Sequence, residues 1–326
     1  MGFGWRFVLA RIDPGVLGRE GSLGRVRARV AAHPPCGDWD DEPYDAAMGS
    51  PVGIIAGSGE LPLLQAEGIR AAGRRVVVAS LGGQSDPRLR DLCDTWFTVG
   101  VLRIGEWGRK LNRSGVTRAV LVGGVDKGAL MYMPVWKRAA VMRPDWRTSW
   151  LIFKTLRNDK RSQTMLTGIA DQASGAGVEL MDTTEFIPEH MATPGLMTRK
   201  APSASQRQDI DFGWPVLLEM NRLDIGQGVA VCNRDVIAVE AMEGTDRMIA
   251  RAGDLAGKGQ WTLVKGAGPD KDMRFDVPTV GVATIEGLKQ HGAAVLALAA
   301  GRVIMVDKPK VIAAADAAGI VIVGVE

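Results

Sequence analysis

Acidic and basic side chains are unusually dense between residues 240 and 276. Three carboxylates, Glu240, Glu243 and Asp246, fall within seven residues, and further charged residues follow at Lys265, Lys271, Asp272, Arg274 and Asp276. Since the whole chain has three histidines, we expect any metal bound here to be a hard cation held by oxygen atoms. Such a set suits a magnesium-assisted reaction at phosphorus, in which carboxylates hold the metal and Lys or Arg stabilises the developing charge.

Asp276 raises a specific question because it lies in the sequence RFDVPTVG, between Phe275 and Val277. Strand interiors are poor in Asp, and a carboxylate among apolar residues is costly to bury without a partner. A backbone turn before Pro278, a neighbouring cation or a metal ion would each hold it there. The residues alone leave these three explanations open.

Thr245 and Asp246 also have a purely structural explanation. Thr is well suited to cap a helix, and an acid in the first helical turn interacts favourably with the helix dipole. We expect this capping role for Thr245. The density of carboxylates that follow the strand ending near Glu240 still favours a functional site here.

Two glycine turns in the first half of the chain are further candidates. The Gly57–Gly59 turn joins a strand to a helix, where backbone N–H groups and the helix dipole favour an anion. It is not a dinucleotide motif, because the third glycine position falls on Pro62 and the next strand ends without a ribose-binding acid. The Gly123–Gly124 turn follows a later strand, so both turns could face one crevice. Tight connections that need glycine for their dihedral angles explain either turn as well.

Residues 136–161 form a basic aromatic segment in which Trp146, Trp150 and Phe153 recur at helical spacing among Lys and Arg residues. This composition is typical of a helix at a membrane surface. On sequence alone we favour the alternative, aromatic rings in a core beneath a solvated basic face. Nucleic-acid binding is not expected, because the rest of the chain is not basic.

Length and composition restrict the class of protein. The chain has 326 residues, 46% of them hydrophobic and 24% charged, which is typical of a globular protein with about two domains. The formal net charge of +3 gives no support for a nucleic-acid partner. Three widely spaced cysteines match neither a zinc site nor a disulfide framework, which favours a reducing cytoplasm. No stretch approaches the roughly 18 apolar residues of a membrane span.

Residues 1–47 differ from the rest of the chain. They contain six Arg, no Lys and an acidic run at 38–42, and they lack a convincing signal peptide. Met48 then opens a stretch that reads like a natural protein start. We predict a disordered extension or an artefact of start-codon choice, with an arm packed on the fold as the alternative.

From residue 52, strand-like and helix-like runs alternate, which predicts βαβ units and a parallel sheet. Later, two short apolar runs flank Asn233–Asp235, which is the pattern of a β-hairpin. The predicted fold class is α/β with two α/β domains joined by a linker. The predicted ranges are 52–183 for a Rossmann-like domain with a parallel sheet, 184–210 for the linker, and 211–326 for a mixed domain that contains the hairpin and the catalytic carboxylates.

Several stretches together resemble the UDP-2,3-diacylglucosamine pyrophosphatase family of lipid A biosynthesis, the type unrelated to calcineurin-like phosphoesterases. They are GIIAGSGELPLL, NRLDIGQG, AVEAMEGTDRMI, RFDVPTVG and the ending KVIAAADAAGIVIVGV. The EGTD and FDVPT pieces, in that order in one half of the chain, are the specific part. The resemblance runs from about residue 52 to the C-terminus and leaves out residues 1–47.

The resemblance implies an enzyme that hydrolyses UDP-2,3-diacylglucosamine to UMP and 2,3-diacylglucosamine 1-phosphate, with water attacking the phosphorus next to the sugar. It implies Mg²⁺ as the cofactor, a homodimer, substrate held between the two domains, and a cytoplasmic location at the anionic surface of the inner membrane. The family's essential aspartate, in an R-x-D-x-P-T motif, falls on Asp276. A metal ion or the attacking water thereby becomes the favoured partner of this carboxylate.

The predicted site has three parts. The catalytic residues are Asp276, Lys265 and Arg274, and the Mg²⁺ ligands are Asp276, Glu243 and Asp246. The substrate-binding residues, for a UDP-linked acylated glucosamine lipid, are Gly57, Ser58, Gly59, Gly123, Gly124, Asp224, Gln227, Thr245 and Thr279.

The sequence departs from the family pattern at Asp126–Lys127 and at Arg157–Lys160, both in the first domain. We therefore expect the phosphate chemistry to transfer better than the identity of the lipid. The alternative function is a non-catalytic protein that binds a nucleotide or an anionic lipid. Such a protein would keep the glycine turns and the basic aromatic segment but would not need Asp276.

Overall fold

The computed structural model describes residues 49–125, 143–151, 153, 162–257 and 260–326. The predicted extension at residues 1–47 lies outside these ranges. So do much of the basic aromatic segment and the two departures from the family pattern, Asp126–Lys127 and Arg157–Lys160.

The first half of the chain forms a parallel sheet of five strands in the order β3-β2-β1-β4-β5. The central strands are runs of Val, Ile and Ala that are buried along their whole length, as expected for a sheet covered on both faces. This confirms the predicted Rossmann-like sheet. The strands are β1 (Val52–Ala56), β2 (Val76–Leu81), β3 (Thr95–Val99), β4 (Arg118–Val122) and β5 (Glu179–Leu180).

Helices cover both faces of this sheet. One face packs against α1 and a 3₁₀ helix through residues such as Ile69 and Leu89, and the other packs against α2 and α4 through residues such as Leu111 and Ala170. The bounds are α1 (Leu61–Ala71), the 3₁₀ helix (Pro87–Leu92), α2 (Ile104–Arg113), α3 (Trp146–Leu151) and α4 (Ser162–Ser174).

The second half forms a mixed sheet of six strands in the order β6-β13-β11-β9-β7-β8. Strands β9, β11 and β13 are parallel, whereas β7 runs antiparallel to both β8 and β9. The β7–β8 pair is the predicted hairpin, so the mixed second domain is confirmed. The strands are β6 (Gly195–Leu196), β7 (Gly228–Cys232), β8 (Asp235–Val239), β9 (Trp261–Lys265), β11 (Ala293–Ala299) and β13 (Val321–Val325), and a separate pair is formed by β10 (Thr279–Val280) and β12 (Ile304–Met305).

Helix α5 covers one face of the mixed sheet through Ile210 and Leu217, and α6, α7 and α8 cover the other. The predicted linker at 184–210 contains a 3₁₀ helix (Pro188–His190), strand β6 and the first turns of α5. The bounds are α5 (Ala204–Arg222), α6 (Thr245–Ala256), α7 (Val282–Gln290) and α8 (Lys308–Ala318).

The loop between β9 and β10 ties the two halves together. Its residue Phe275 is 4% exposed and packs in the core of the first sheet. Its Met273 carbonyl accepts hydrogen bonds from the backbone N–H of Thr183 (3.2 Å) and from the Thr183 hydroxyl (2.9 Å). The loop that carries Asp276 is therefore held by residues of both halves.

Candidate active site

One edge of the mixed sheet brings distant residues of the sequence together. Lys265 ends β9 and lies opposite Gly228, the first residue of β7, in the antiparallel register. Glu240 directly follows β8, and its N–H donates to the Gly228 carbonyl at 2.8 Å. The register of three strands thus places the Glu240 and Lys265 side chains next to each other.

Lys265, Glu240 and Thr245 form a closed hydrogen-bonded group, which we call the Lys265 cluster. The Lys265 ammonium donates to Glu240 Oε2 at 3.1 Å and to the Thr245 hydroxyl at 2.8 Å. The Thr245 hydroxyl donates to Glu240 Oε1 at 2.7 Å. Lys265 is 3% exposed, and a buried ammonium requires this kind of pairing because its desolvation is costly.

Thr245 does not cap its helix, so the predicted capping role is wrong. The N-cap of α6 is Gly244, whose φ of 82° places it in the region that glycine tolerates best. Thr245 is instead the first residue of the helix, and its hydroxyl belongs to the Lys265 cluster.

Asp276 is held by contacts from two sides. The Gln227 side-chain amide donates to the Asp276 carbonyl at 3.0 Å and to its Oδ2 atom at 2.7 Å. The Lys271 ammonium lies 3.4 Å from the same Oδ2 atom. Asp276 has a φ of 48°, a left-handed conformation that Asp adopts more readily than most residues. A neighbouring cation, one of the three explanations considered above, is therefore present.

Gln227 connects Asp276 to the Lys265 cluster. It directly precedes β7, and its carbonyl accepts a hydrogen bond from the N–H of Gly266, the residue after Lys265, at 3.0 Å. Asp276 therefore lies at the same edge of the mixed sheet as the buried lysine.

The Asp276 side chain is 52% exposed, and the protein atoms around its carboxylate include the Gln227 amide and the Lys271 ammonium. Desolvation by these surrounding atoms raises the pKa of Asp276 above its usual range. The positive charges of Lys271 and Lys265 lower the pKa of Asp276, and the negative charge of Glu240 raises it further. Asp276 and the Lys265 cluster thus form one electrostatic site.

Arg274 makes its described contacts with another carboxylate of the same loop. Its guanidinium donates to Asp272 Oδ1 at 3.0 Å and to Asp272 Oδ2 at 2.7 Å, and it lies 5.2 Å from the centre of the Phe275 ring. These hydrogen bonds from Arg274 lower the pKa of Asp272. The role of Arg274 in stabilising charge during the reaction stays a prediction.

The predicted metal ligands differ in their surroundings. Glu243 Oε1 pairs with Arg251 at 2.5 Å, and hydrogen bonds lower the pKa of Glu243 despite the opposing effect of desolvation. Asp246 is exposed in the first turn of α6. Within the part of the chain that the structure describes, no three His, Cys, Asp or Glu side chains converge as a metal cluster. The assignment of Asp276, Glu243 and Asp246 to one metal ion stays a prediction.

The two glycine turns lie together at the carboxyl ends of β1 and β4. The N–H of Ser58 donates to the Gly124 carbonyl at 2.7 Å, and the N–H of Gly124 donates to the Ser58 carbonyl at 2.9 Å. A Cβ at Gly57 would collide with the Gly124 carbonyl, so the approach requires glycine. The N–H of Gly57 donates to Val122. These three N–H groups are used within the turns, whereas Gly59, with a φ of 103°, borders open space.

The remaining predicted substrate contacts lie on three segments. Gly123 has a φ of 88° in the second glycine turn, and Asp224 has a φ of 55° in the turn after α5. Thr279 begins β10, three residues after Asp276, and is exposed. Their contact with substrate stays a prediction.

The described aromatic rings of the basic aromatic segment lie at the surface. Trp146 is 78% exposed, Trp150 is 46% exposed and Phe153 is 64% exposed. The two tryptophan rings stack with their centres 6.1 Å apart. The interpretation favoured on sequence, a buried aromatic core, is therefore wrong for these three residues. Across the described ranges, no helix is long and apolar enough to cross a membrane.

The predicted catalytic, metal-binding and substrate-binding residues do not include Glu240, although it is one of the three carboxylates clustered in the sequence. Its partner Lys265 lies 25 residues away along the chain, so their contact depends on the strand register. The available signal was the run of Gly226, Gln227 and Gly228, since paired glycines beside a strand indicate close approach of another segment.

Comparisons with known proteins cover both halves of the chain. Residues 51–190 match the model of the LpxI N-terminal domain, and residues 193–323 match that of the LpxI C-terminal domain. A curated relative from Caulobacter vibrioides, the UDP-2,3-diacylglucosamine pyrophosphatase LpxI, is 33% identical over 282 residues. The aligned region covers 84% of this chain and 97% of the relative.

Proposed function

The chain belongs to the LpxI family, and from this membership we propose that it hydrolyses UDP-2,3-diacylglucosamine to UMP and 2,3-diacylglucosamine 1-phosphate, a step of lipid A biosynthesis. The observation that carries the proposal is the match of both halves to the family's two domain models. The curated relative, which has this activity in its name, aligns along almost its entire length.

The reaction adds one water molecule across the pyrophosphate. A water oxygen forms a bond to one phosphorus, and the bond from that phosphorus to the bridging oxygen breaks. The bridging oxygen leaves with the other phosphate, and the attacking water loses a proton to solvent. We propose that Asp276 positions this water, because its carboxylate is held by Gln227 and Lys271 yet half open to solvent. We assign water attack to the phosphorus next to the sugar.

Lys265 and Arg274 are our candidates for stabilising the negative charge that develops on phosphate oxygens. Lys265 is the stronger candidate because it is a buried cation whose charge reaches Asp276. Arg274 lies two residues before Asp276 and is already paired with Asp272. We expect it to contact a phosphate from this paired position.

We further propose that Mg²⁺ supports the reaction at Asp276. In sites for phosphate transfer, Mg²⁺ is commonly bound by one or two carboxylates together with substrate phosphates, so an all-protein cage is unnecessary. The half-exposed Asp276 carboxylate fits a site of that kind, and Glu243 and Asp246, which flank Thr245 in the chain, are the further ligands we assign. A bound Mg²⁺ would neutralise charge on the phosphate oxygens.

We place the substrate between the two halves of the chain, where the loop carrying Asp276 contacts the first domain. In this proposal Gln227, Asp224 and Thr279 contact the substrate from the second domain, and Thr245 acts on it through the Lys265 ammonium. The first domain contributes the two glycine turns, Gly57, Ser58, Gly59, Gly123 and Gly124. Since three N–H groups of these turns are already used, Gly59 is the contact we expect to matter most.

We propose a cytoplasmic enzyme that binds peripherally to the anionic surface of the inner membrane and works as a homodimer. The exposed rings of Trp146, Trp150 and Phe153 support the membrane contact, because aromatic rings suit the boundary between headgroups and acyl chains. Co-sedimentation with anionic vesicles tests it. Binding by the wild type that is unchanged in Trp146→Ser would contradict this contact.

The experiment for the proposed reaction measures UMP release from UDP-2,3-diacylglucosamine by the purified protein, with Mg²⁺ and with excess EDTA. We expect UMP and the sugar 1-phosphate in equal amounts with Mg²⁺ and strongly reduced release with EDTA. Full release in EDTA would contradict the metal requirement alone. Binding of the lipid without any release of UMP would contradict the proposed enzymatic function and favour a non-catalytic lipid-binding protein.

A further inference from the structure

Lys265 is buried to a degree that lysine rarely reaches. It is 3% exposed at the end of β9, and lysine is almost never fully buried unless it is paired. The Lys265 ammonium carries three donors, and the contacts of the Lys265 cluster use two of them. These two contacts leave its third donor unused.

Glu240 and Thr245 fix the position of this ammonium from two directions. Each of the three side chains in the Lys265 cluster contacts the other two, at distances of 2.7, 2.8 and 3.1 Å. Because the Thr245 hydroxyl donates its one proton to Glu240, it has a lone pair directed to the ammonium. Lys265 therefore cannot swing to another partner without leaving a buried polar atom unpaired.

The backbone makes room for Glu240 at this place. A Cβ on Gly226 would collide with the Glu240 carbonyl, and a Cβ on Gly228 would lie 2.8 Å from Glu240 Oε2. The glycines on both sides of Gln227 thus allow the Glu240 side chain to reach Lys265. The same three-residue segment holds Asp276 through Gln227, so it fixes both the carboxylate and the ammonium.

We propose that Glu240 and Thr245 are positioning residues that hold the Lys265 ammonium in place beside Asp276, with its third donor directed to a phosphate oxygen that gains charge as the P–O bond breaks. This inference rests on the proposed function. Gln227 links the two groups, because its carbonyl accepts from the N–H of Gly266, next to Lys265, and its side-chain amide donates to Asp276. A fixed cation of this kind stabilises a transition state more than a bound substrate, because no reorganisation is needed when charge develops.

A double-mutant cycle tests the proposal with UMP release from UDP-2,3-diacylglucosamine as the readout. We expect Glu240→Gln to lower kcat by about 100-fold with little change in KM, because the ammonium loses its fixed place. In a Lys265→Met background the same Glu240→Gln change should alter kcat by less than about twofold, since no ammonium remains to position. An equal loss in both backgrounds would overturn the proposal.

Thr245 provides a second pair of variants that does not depend on removing a buried charge. Thr245→Ser keeps the hydroxyl, whereas Thr245→Val keeps the shape without it. We expect kcat of Thr245→Ser to exceed that of Thr245→Val by about tenfold or more, with similar melting temperatures. Equal kcat values for the two variants would overturn the proposal.

UMP release by the wild type distinguishes a failure of this inference from a failure of the proposed function. If the wild type releases no UMP, the proposed function is wrong and the inference falls with it. If the wild type releases UMP and the variants behave additively, the inference alone is wrong.

Discussion

At the scale of single residues, Asp276 combines features that rarely occur together. It has a positive φ, a side chain that is half exposed, and a carboxylate fixed by an amide and an ammonium. Positive φ in a residue other than glycine is uncommon, and residues in unusual backbone conformations cluster at functional sites. Here the conformation directs the carboxylate of a loop residue to the end of the mixed sheet, where Gln227 and the Lys265 cluster lie.

The Asp272–Arg274 pair gives a prediction for acid stability. Hydrogen bonds from Arg274 lower the pKa of Asp272 in the folded state, so the pair stabilises the fold at pH values above the unfolded pKa of about 4. This contribution is lost as the pH falls through the lower, folded pKa. We expect Asp272→Asn to reduce the melting temperature at neutral pH and to reduce its dependence on pH below about 4.

The matched control is Asp270→Asn, which changes an exposed acid in the same loop. Melting curves recorded by circular dichroism between neutral and acidic pH make the comparison. Parallel loss of stability in the wild type and in Asp272→Asn would contradict the stabilising role of the pair.

At the scale of single elements, the sequence predicts the helices and strands whose formation depends on local residue patterns. Strands β1, β2 and β4 are rich in β-branched apolar residues, and the hairpin has its turn residues between two apolar runs, so the alternation of strands and helices and the hairpin were predicted. Gly244 rather than Thr245 caps α6 because the backbone there needs a positive φ, which Thr disfavours.

Helix α5 has a start signal in its local sequence. It begins at Ala204, inside the predicted linker at 184–210. The Ser203 side chain accepts a hydrogen bond from the Gln206 N–H, and the Gln206 side chain accepts one from the Ser203 N–H. This S-x-x-Q pattern is a capping box, which marks the start of a helix.

The capping box gives a prediction for stability. Ser203→Ala removes the acceptor for a helix N–H, and we expect it to lower the free energy of unfolding by about 1 kcal/mol. The melting temperature should fall by about 2 °C for a chain of this size. Ser203→Asp, which keeps a capping oxygen, is the control and should stay close to the wild type. Equal melting temperatures for Ser203→Ala and Ser203→Asp would contradict the role of the cap.

At the scale of the whole molecule, the site depends on contacts that local sequence patterns do not encode. Glu240 meets Lys265 because three strands are in register, and Asp276 meets Gln227 across 49 positions of the chain. The resemblance to a family covers Asp276, Gln227 and Thr245, and the density of charged residues indicated Lys265, but neither revealed their hydrogen bonds. Only the structure assigns Glu240 to the site, through its hydrogen bond with Lys265.

Residues of both halves of the molecule hold the loop that carries Asp276 in place. This loop belongs to the second half, yet Phe275 is buried in the core of the first sheet and Met273 is bonded to Thr183. A change in how the halves pack would therefore move Asp276 relative to the Lys265 cluster. This arrangement suits an enzyme whose substrate binds between its domains.

We propose that this chain hydrolyses UDP-2,3-diacylglucosamine with Asp276 in its active site, and a comparison of UMP release by Asp276→Asn and Asp270→Asn tests this. Asn tolerates the left-handed backbone and keeps the size of the side chain, so the fold should be retained. We predict that Asp276→Asn lowers kcat by about 100-fold or more while Asp270→Asn stays within about twofold of the wild type. Equal activity of the two variants, both folded, would contradict the claim.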